Sequence, residues 1–155
     1  MRVGLISDTH GRLRNDVFRL FEGVDHILHA GDIGGPDILS ALEAIAPVDA
    51  VCGNTDDLGM RQYARERVVR ELDGRSIVVI HGHQFGSPTP AALAAAFPDA
   101  DVILYGHTHR PLVQRVSRIL IVNPGAAGPP RFGLEPSVGL LFIEADDIRA
   151  EIISL

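Results

Sequence analysis

The sequence predicts an α/β fold built on a largely parallel sheet, and three observations predict it. Short runs rich in Val, Ile and Leu, each of strand length, alternate with helical stretches through the first half of the chain. Five of these runs end in Asp, Asn or His. From residue 68 onward strand-like runs come in pairs with no helix between them, which points to a second, mixed or antiparallel sheet packed on the first.

The elements can be justified in order. Residues 3–6, 26–30, 48–52, 76–80 and 102–105 are nearly continuous in hydrophobicity, which suits strands covered on both faces. Asn15 is expected to cap a helix over residues 16–22, with Val17, Phe18, Leu20 and Phe21 forming its apolar stripe. Pro36-Asp37 opens a second helix over residues 38–46, placing proline at the first helical position and an acid in the first turn. Thr89-Pro90 opens a third over residues 91–97 in the same way. Hairpins are expected for residues 68–72 with 76–80 around Asp73-Gly74, for 112–116 with 119–122, and for 138–144 with 148–153. Loops fall at residues 54–60, 85–88 and 123–136, and neither a repeat nor an interdomain linker interrupts the chain, so residues 1–155 read as one domain.

Bulk properties narrow the function. A chain of 155 residues buries about 68–70% of the surface it exposes when unfolded, so a stable core needs no covalent staples. The single cysteine, Cys52, excludes an internal disulfide and reads as a small buried hydrophobe. A formal net charge of −6 without a basic stripe argues against general nucleic-acid binding. The apolar run after Met1 is too short for a signal-peptide core, and no segment approaches a membrane span, so the cytoplasm is the expected location.

The chemistry is carried by what terminates the strands. In open α/β sheets the ligand crevice lies beyond the carboxyl ends of the strands, where loops converge. Here those ends hold Asp8, His10, Asp32, Asn54, His81, His107 and His109, an oxygen and imidazole donor set without thiolate. Such donors suit Mn²⁺, Fe²⁺, Ni²⁺ or Zn²⁺. Asp8/His10 and His107/His109 are i, i+2 pairs, a spacing expected to place both side chains on one side of an extended segment. Seven donors exceed the needs of one catalytic ion but fit two ions about 3.5–4 Å apart, with Asp32 as the bridging carboxylate. Two divalent cations less the charges of Asp8 and Asp32 leave a pocket about two units positive, which attracts a phosphate. The metals would acidify a shared water and stabilise charge during in-line displacement.

Asp8-Thr9-His10, Gly31-Asp32, Gly53-Asn54, His81-Gly82-His83 and Gly106-His107-Thr108-His109 together resemble the five ordered motifs of the calcineurin-like metallophosphoesterases, in particular their small single-domain phosphodiesterase branch. The resemblance spans residues 3 to about 128 and implies a four-layer α/β/β/α sandwich of two mixed sheets flanked by helices. It implies Asp8, His10, Asp32 and His109 around one metal, and Asp32, Asn54, His81 and His107 around the other, with manganese the foremost candidate and Ni, Fe, Zn or Mg as alternatives. Asp32 and Asn54 are expected to take part in catalysis, and Asn54 and Arg131 to contact a small phosphate-ester substrate. Many members place a histidine directly after the motif asparagine. Thr55 stands there instead, so His83 or a metal-bound water is the expected proton donor to the leaving group.

Other polar residues have simpler readings. His26 and His29 are expected to be structural, with support of the metal ligands the alternative for His29. Asp56 and Asp57 read as loop or supporting residues, and residues 61–70, rich in arginine, as a solvated surface. The chain also resembles the retromer subunit that uses this fold for protein contacts, although that relative lacks the histidine present here as His10. A metallohydrolase of amides fits the donors, but the helical zinc-protease signature is absent. Oligomeric state is left open, a homo-oligomer included.

Overall fold

A computed structural model describes residues 1–155. In chain order the elements are β1 (Arg2–Ile6), α1 (Asn15–Leu20), β2 (His26–His29), α2 (Pro36–Glu43), β3 (Val48–Ala50), β4 (Arg67–Leu72), β5 (Arg75–Ile80), α3 (Pro90–Ala96), β6 (Val102–Leu104), β7 (Leu112–Val116), β8 (Ile119–Asn123), β9 (Ser137–Ile143) and β10 (Ile148–Ser154). Short 3-10 turns at Leu58–Gln62 and His83–Phe85 lie in the loops after β3 and β5.

The strands form two five-stranded mixed sheets, ordered β10-β9-β1-β2-β3 and β4-β5-β6-β8-β7. Parallel pairing joins β1 to β2 and β2 to β3 in the first sheet, and β5 to β6 and β6 to β8 in the second. All three expected hairpins form, but the last one, β9-β10, does not extend the second sheet. It returns to the first, where β9 pairs antiparallel with β1 and sets Val3 opposite Leu141. Hydropathy marks both sheets' strands alike, so the choice is made by packing.

That packing explains why the strands are hydrophobic throughout. Alternate residues face opposite sides of a strand, and here both sides are covered. Val3, Leu5 and Leu28 of the first sheet meet Ile77, Val79, Leu104 and Val122 of the second in a core between the sheets. Ile6, Ile27 and Leu140 face outward onto Val17 of α1 and Phe21 at its C-terminal cap, and onto Ile38, Leu39 and Leu42 of α2. Val78, Ile80, Ile103 and Ile121 pack on the other side against Leu93 of α3. The layers are therefore α/β/β/α, as expected.

Two local expectations are corrected. Asn15 lies inside α1 rather than at its cap; Arg14 takes the cap position in extended geometry and makes no side-chain cap bond, so the helix starts without one. Cys52 is half-buried, its thiol facing the Ala64 carbonyl at 3.5 Å. It packs at the edge of the core that faces α1 and α2, and burial and the nearby Asp56 carboxylate raise the thiol's pKa. At α3 the Thr89 hydroxyl accepts from Ala92 N as the sequence implied. No helix is long and apolar enough to cross a membrane.

Candidate metal centre

β1, β2, β3, β5 and β6 all deliver their carboxyl ends to one edge of the sandwich, and the polar residues there meet. Asp8, His10 and His109 bring donor atoms within 4.8 Å of one another, and Asp8, Asp32 and His81 do the same. The nearest approaches are Asp8 Oδ1 to His109 Nε2 at 3.2 Å, Asp32 Oδ2 to His81 Nε2 at 3.3 Å, and Asp32 Oδ2 to His10 Nε2 at 3.8 Å. His10 Nε2 and His109 Nε2 face each other at 3.5 Å. The Asn54 amide oxygen lies 3.0 Å from His81 Nε2, and the His107 ring stands edge-on to His81 with centroids 5.2 Å apart.

Convergence is achieved by backbone strain rather than by extended spacing. Asp8, His10, Asp32, His107 and His109 all adopt positive φ, between 46° and 68°. Asp8 and His10 therefore meet because each sits in the left-handed region, not because the segment is extended, whereas His107 and His109 part, His107 toward His81 and His83 and His109 toward Asp8 and His10. Non-glycine residues visit that region rarely and at a cost, and such residues cluster at functional sites. The strand ends turn sharply there, and side chains that a straight strand would splay are aimed inward.

Neighbouring groups then fix each donor. Asp8 Oδ2 accepts from the Ser7 hydroxyl at 2.6 Å and from His107 N at 3.2 Å, leaving Oδ1 buried with no hydrogen-bond partner. Asp32 is arranged in the same way: Oδ1 accepts from Thr55 N at 2.9 Å and Oδ2 faces the histidines. His81 Nδ1 donates to the Ala30 carbonyl at 2.7 Å, which turns Nε2 toward Asp32 and Asn54. Gly53 packs against the Asp32 loop so closely that a Cβ would fall 2.0 Å from Asp32 Oδ1 and 2.4 Å from Asp32 N.

Electrostatics follow from this geometry. Burial alone would raise the Asp32 pKa, but hydrogen bonds from His81 and Thr55 and the His81 charge outweigh it and hold the carboxyl well below its usual range. Burial would lower the pKa of His81, yet its bond to Asp32 and the charges of Asp8 and Asp32 leave it raised. Burial lowers His10 despite both aspartates, and the Arg131 charge acts in the same direction. His29 is pushed down to about 4, by burial above all.

A divalent cation fits this donor set. An orphaned buried carboxylate oxygen and an imidazole that binds a proton more tightly than usual between two oxygens are both groups that want positive charge. The first set combines carboxylate oxygen with two imidazole nitrogens, and one Asp32 oxygen faces both halves of the cluster.

The other residues singled out by sequence are placed as follows. His83 lies half-buried beside the cluster, its ring 5.4 Å from His81 and 6.3 Å from His107, with Nδ1 buried and unpartnered. Burial and the two neighbouring histidines lower its pKa. A cavity of about 360 Å³ adjoins it, lined also by Cys52, Gly53, Leu58, Arg61 and Glu66. Arg131 is exposed at the rim on the His10 side. His26 is structural, bonded to Asp49 at 2.8 Å. Buried His29 is both structural and supporting: Thr9 Oγ1 donates to the Ile33 carbonyl and accepts from His29 Nε2 at 3.0 Å, while His29 Nδ1 accepts from Gly31 N at 3.1 Å. Asp57 caps the 3-10 turn, accepting from Met60 N, whereas the Asp56 carboxylate accepts from Ile33 N, Gly34 N and Gly53 N.

Sequence reasoning missed Ser7 and Asn123 as supports. Buried Asn123 donates to the Gly106 carbonyl at 3.0 Å and to Thr108 Oγ1 at 3.1 Å, bracing the loop that carries His107 and His109. The signal was available, because Asn123 ends an apolar strand like the ligand residues.

The fold and the ordered strand-end residues define a phosphoesterase class, and comparison with known proteins agrees. The chain belongs to the calcineurin-like phosphoesterase superfamily, whose domain matches residues 1–146. It is 37% identical over 160 residues to a probable metallophosphoesterase of Methanothermobacter thermautotrophicus, covering 99% of this chain and 92% of the relative. An archaeal phosphodiesterase structure superposes with a TM-score of 0.80 at 26% identity, covering 99% of this chain and 100% of the other. Zinc-complexed Vps29 from Entamoeba histolytica gives the same TM-score and identity, covering 99% of both chains.

Proposed function

We propose that this chain is a dinuclear-metal-dependent phosphodiesterase, a hydrolase of small phosphate esters. Asp8, His10, Asp32 and His109 would hold one divalent cation, and Asp32, Asn54, His81 and His107 the other, with manganese the expected ion and Ni, Fe, Zn or Mg compatible with the same donors. When bound, the cations supply charge that neutralises a phosphoryl group and acidifies water. The observation that carries this reading is Asp8 Oδ1, buried without a hydrogen-bond partner and 3.2 Å from His109 Nε2.

The chain's own residues orient and protonate. Asp32, held by Thr55 N, presents its second oxygen to both halves of the cluster. Asn54 is exposed, and with its oxygen turned to His81 its amide NH₂ is free to donate to a phosphate oxygen. Arg131 adds charge at the His10 side for the same phosphate. His83, at the opposite end beside the 360 Å³ cavity, would pass a proton to the leaving oxygen. A small soluble substrate accords with a cytoplasmic enzyme of net charge −6.

Hydrolysis of bis(p-nitrophenyl) phosphate by chelator-treated protein with Mn²⁺, Ni²⁺, Zn²⁺ or Mg²⁺ restored tests the reading. Turnover is expected with metal, and its loss in folded Asp32→Asn and His107→Ala variants. Metal-replete protein without turnover would instead support a protein-binding scaffold, the reading that the Vps29 neighbours keep in view; His10 favours the enzyme. His83→Ala should slow an alkyl diester with a poor leaving group far more than an activated aryl ester, and full activity on the alkyl ester would remove His83 from the mechanism.

A further inference from the structure

Phe132 is anomalous for its place in the fold. It is 77% exposed, and it holds φ at +57°. Positive φ is a genuine outlier for a bulky side chain, and an exposed ring gains little burial to offset it. The ring is nevertheless not loose on the surface: it stands edge-on to His109 with centroids 5.8 Å apart.

The loop beneath it is fixed to the ligand-bearing strand end. Ala127 N donates to the Ser7 carbonyl at 2.9 Å, and Gly128 N to the Asp8 carbonyl at 3.1 Å. Gly128 lies so close that a Cβ would be 2.3 Å from the Thr9 carbonyl oxygen. Arg14 reaches the Gly128 carbonyl at 3.4 Å, and Leu134 N closes a turn onto the Arg131 carbonyl. Phe132 therefore sits on a turn next to Arg131, beyond an anchored stretch of loop, with its ring at the edge of the donor cluster.

The cluster has two ends. His83 and His107 stand at one, then His81 and Asp32, then His10 and His109, with Phe132 beyond His109. A phosphodiester seated over the donors with its leaving oxygen toward His83 carries its other ester group toward His109. We propose that Phe132 is a stacking platform for a planar ring, a nucleobase or aryl group, on the ester substituent that stays with the phosphate. This rests on the phosphodiesterase reading and names its substrate class. An exposed aromatic face supplies ring recognition without hydrogen bonds to particular base edges, so the preference is for a ring rather than for one base.

The test is calorimetric binding to the Mn²⁺-loaded full chain of three phosphate monoesters: thymidine 5′-monophosphate, benzyl phosphate and methyl phosphate. Wild-type protein should bind the two ring-bearing esters about tenfold more tightly than methyl phosphate, the scale of one base stacked on an aromatic side chain. A gain for thymidine monophosphate alone would assign the platform to nucleobases, and a gain for both to rings in general. Phe132→Leu, which keeps apolar bulk, should erase the preference while leaving methyl phosphate affinity unchanged; Phe132→Tyr should restore it. Equal affinities in wild type, equal weakening of all three by Phe132→Leu, or binding of none would overturn the proposal. Turnover of thymidine 5′-(p-nitrophenyl) phosphate and methyl p-nitrophenyl phosphate separates the two readings. Binding preference without any hydrolysis would sink the catalytic reading alone, and hydrolysis of both at equal KM would sink the platform alone.

Discussion

Replacing Asp56 should damage the protein far more than replacing its neighbour Asp57, although the two adjacent carboxylates read alike in the sequence. Asp56 Oδ2 accepts from Ile33 N at 3.1 Å and Gly53 N at 2.8 Å, and Oδ1 accepts from Gly34 N at 2.9 Å. One half-buried side chain thus ties the loop after β2, which carries Asp32, to the loop after β3, which carries Asn54. Hydrogen bonds to a charged group contribute about 1.5–3 kcal/mol each, and a buried donor left without its acceptor carries its desolvation cost. The three bonds share one carboxylate and the Gly34 bond is exposed to water. Asp56→Ala should therefore cost about 3–5 kcal/mol, less than three independent bonds. Asp57 makes one capping bond, to Met60 N at 3.2 Å, and Asp57→Ala should cost about 1 kcal/mol. Urea denaturation of the metal-free variants measures both. A titration with Mn²⁺ should add a 10–100-fold loss of affinity for Asp56→Ala, the usual effect of removing a group that orients ligands. Equal destabilisation by the two substitutions, or unaltered metal affinity in Asp56→Ala, would refute the assignment of Asp56 as the tie between loops.

Two further outcomes follow from the same geometry. His29 is fully buried with its pKa lowered from 6.5 to about 4, chiefly by burial, so between those values the unfolded chain binds a proton that the folded chain does not. Stability should then fall as pH drops from above 6.5 toward 4, by about 3 kcal/mol from this residue, and His29→Gln should flatten that part of a pH series of urea melts; an unchanged slope would contradict a neutral buried imidazole. Gly53→Ala places a methyl group against the backbone and carboxylate of Asp32, so thermal melting and metal titration should show both lowered stability and weakened binding, and a wild-type-like variant would mean that the two loops are less tightly joined than described.

Much of the site was legible because strands covered on both faces are uniformly apolar, so a polar residue at a strand end stands out. Asp8, Asp32, His81 and His107 are visible for that reason, and their order along the chain suffices to bring them to one edge once the strands are parallel. The reason that Asp8 and His10 meet while His107 and His109 turn to different neighbours was not legible. It lies in positive φ at non-glycine residues, and nothing in local sequence preference signals a conformation that the surrounding fold imposes. What Asp56 and His29 hold in place, readable in the sequence only as a possible supporting role, was hidden for a related reason: it rests on groups distant in sequence, as when Asp56 accepts from Ile33 N and Gly34 N.

The fold divides in the same way. Hairpins and helices were readable from turns and periodicity, while the sheet each hairpin joins was not. Leu141 and Ile143 of β9 are as apolar as Leu120 and Val122 of β8, yet β9 pairs with β1 and β8 with β6. The Arg14 cap, without any side-chain bond, shows the opposite failure, where Asn15 offered a good local signal that the packed structure does not use.

The central claim is best tested by titrating chelator-treated protein with Mn²⁺ while following bound metal and hydrolysis of bis(p-nitrophenyl) phosphate in the same samples. Binding should saturate at two ions per chain, with turnover appearing as the second fills. Saturation at one ion or none, or two bound ions with no hydrolysis, would contradict the proposed paired-cation phosphodiesterase.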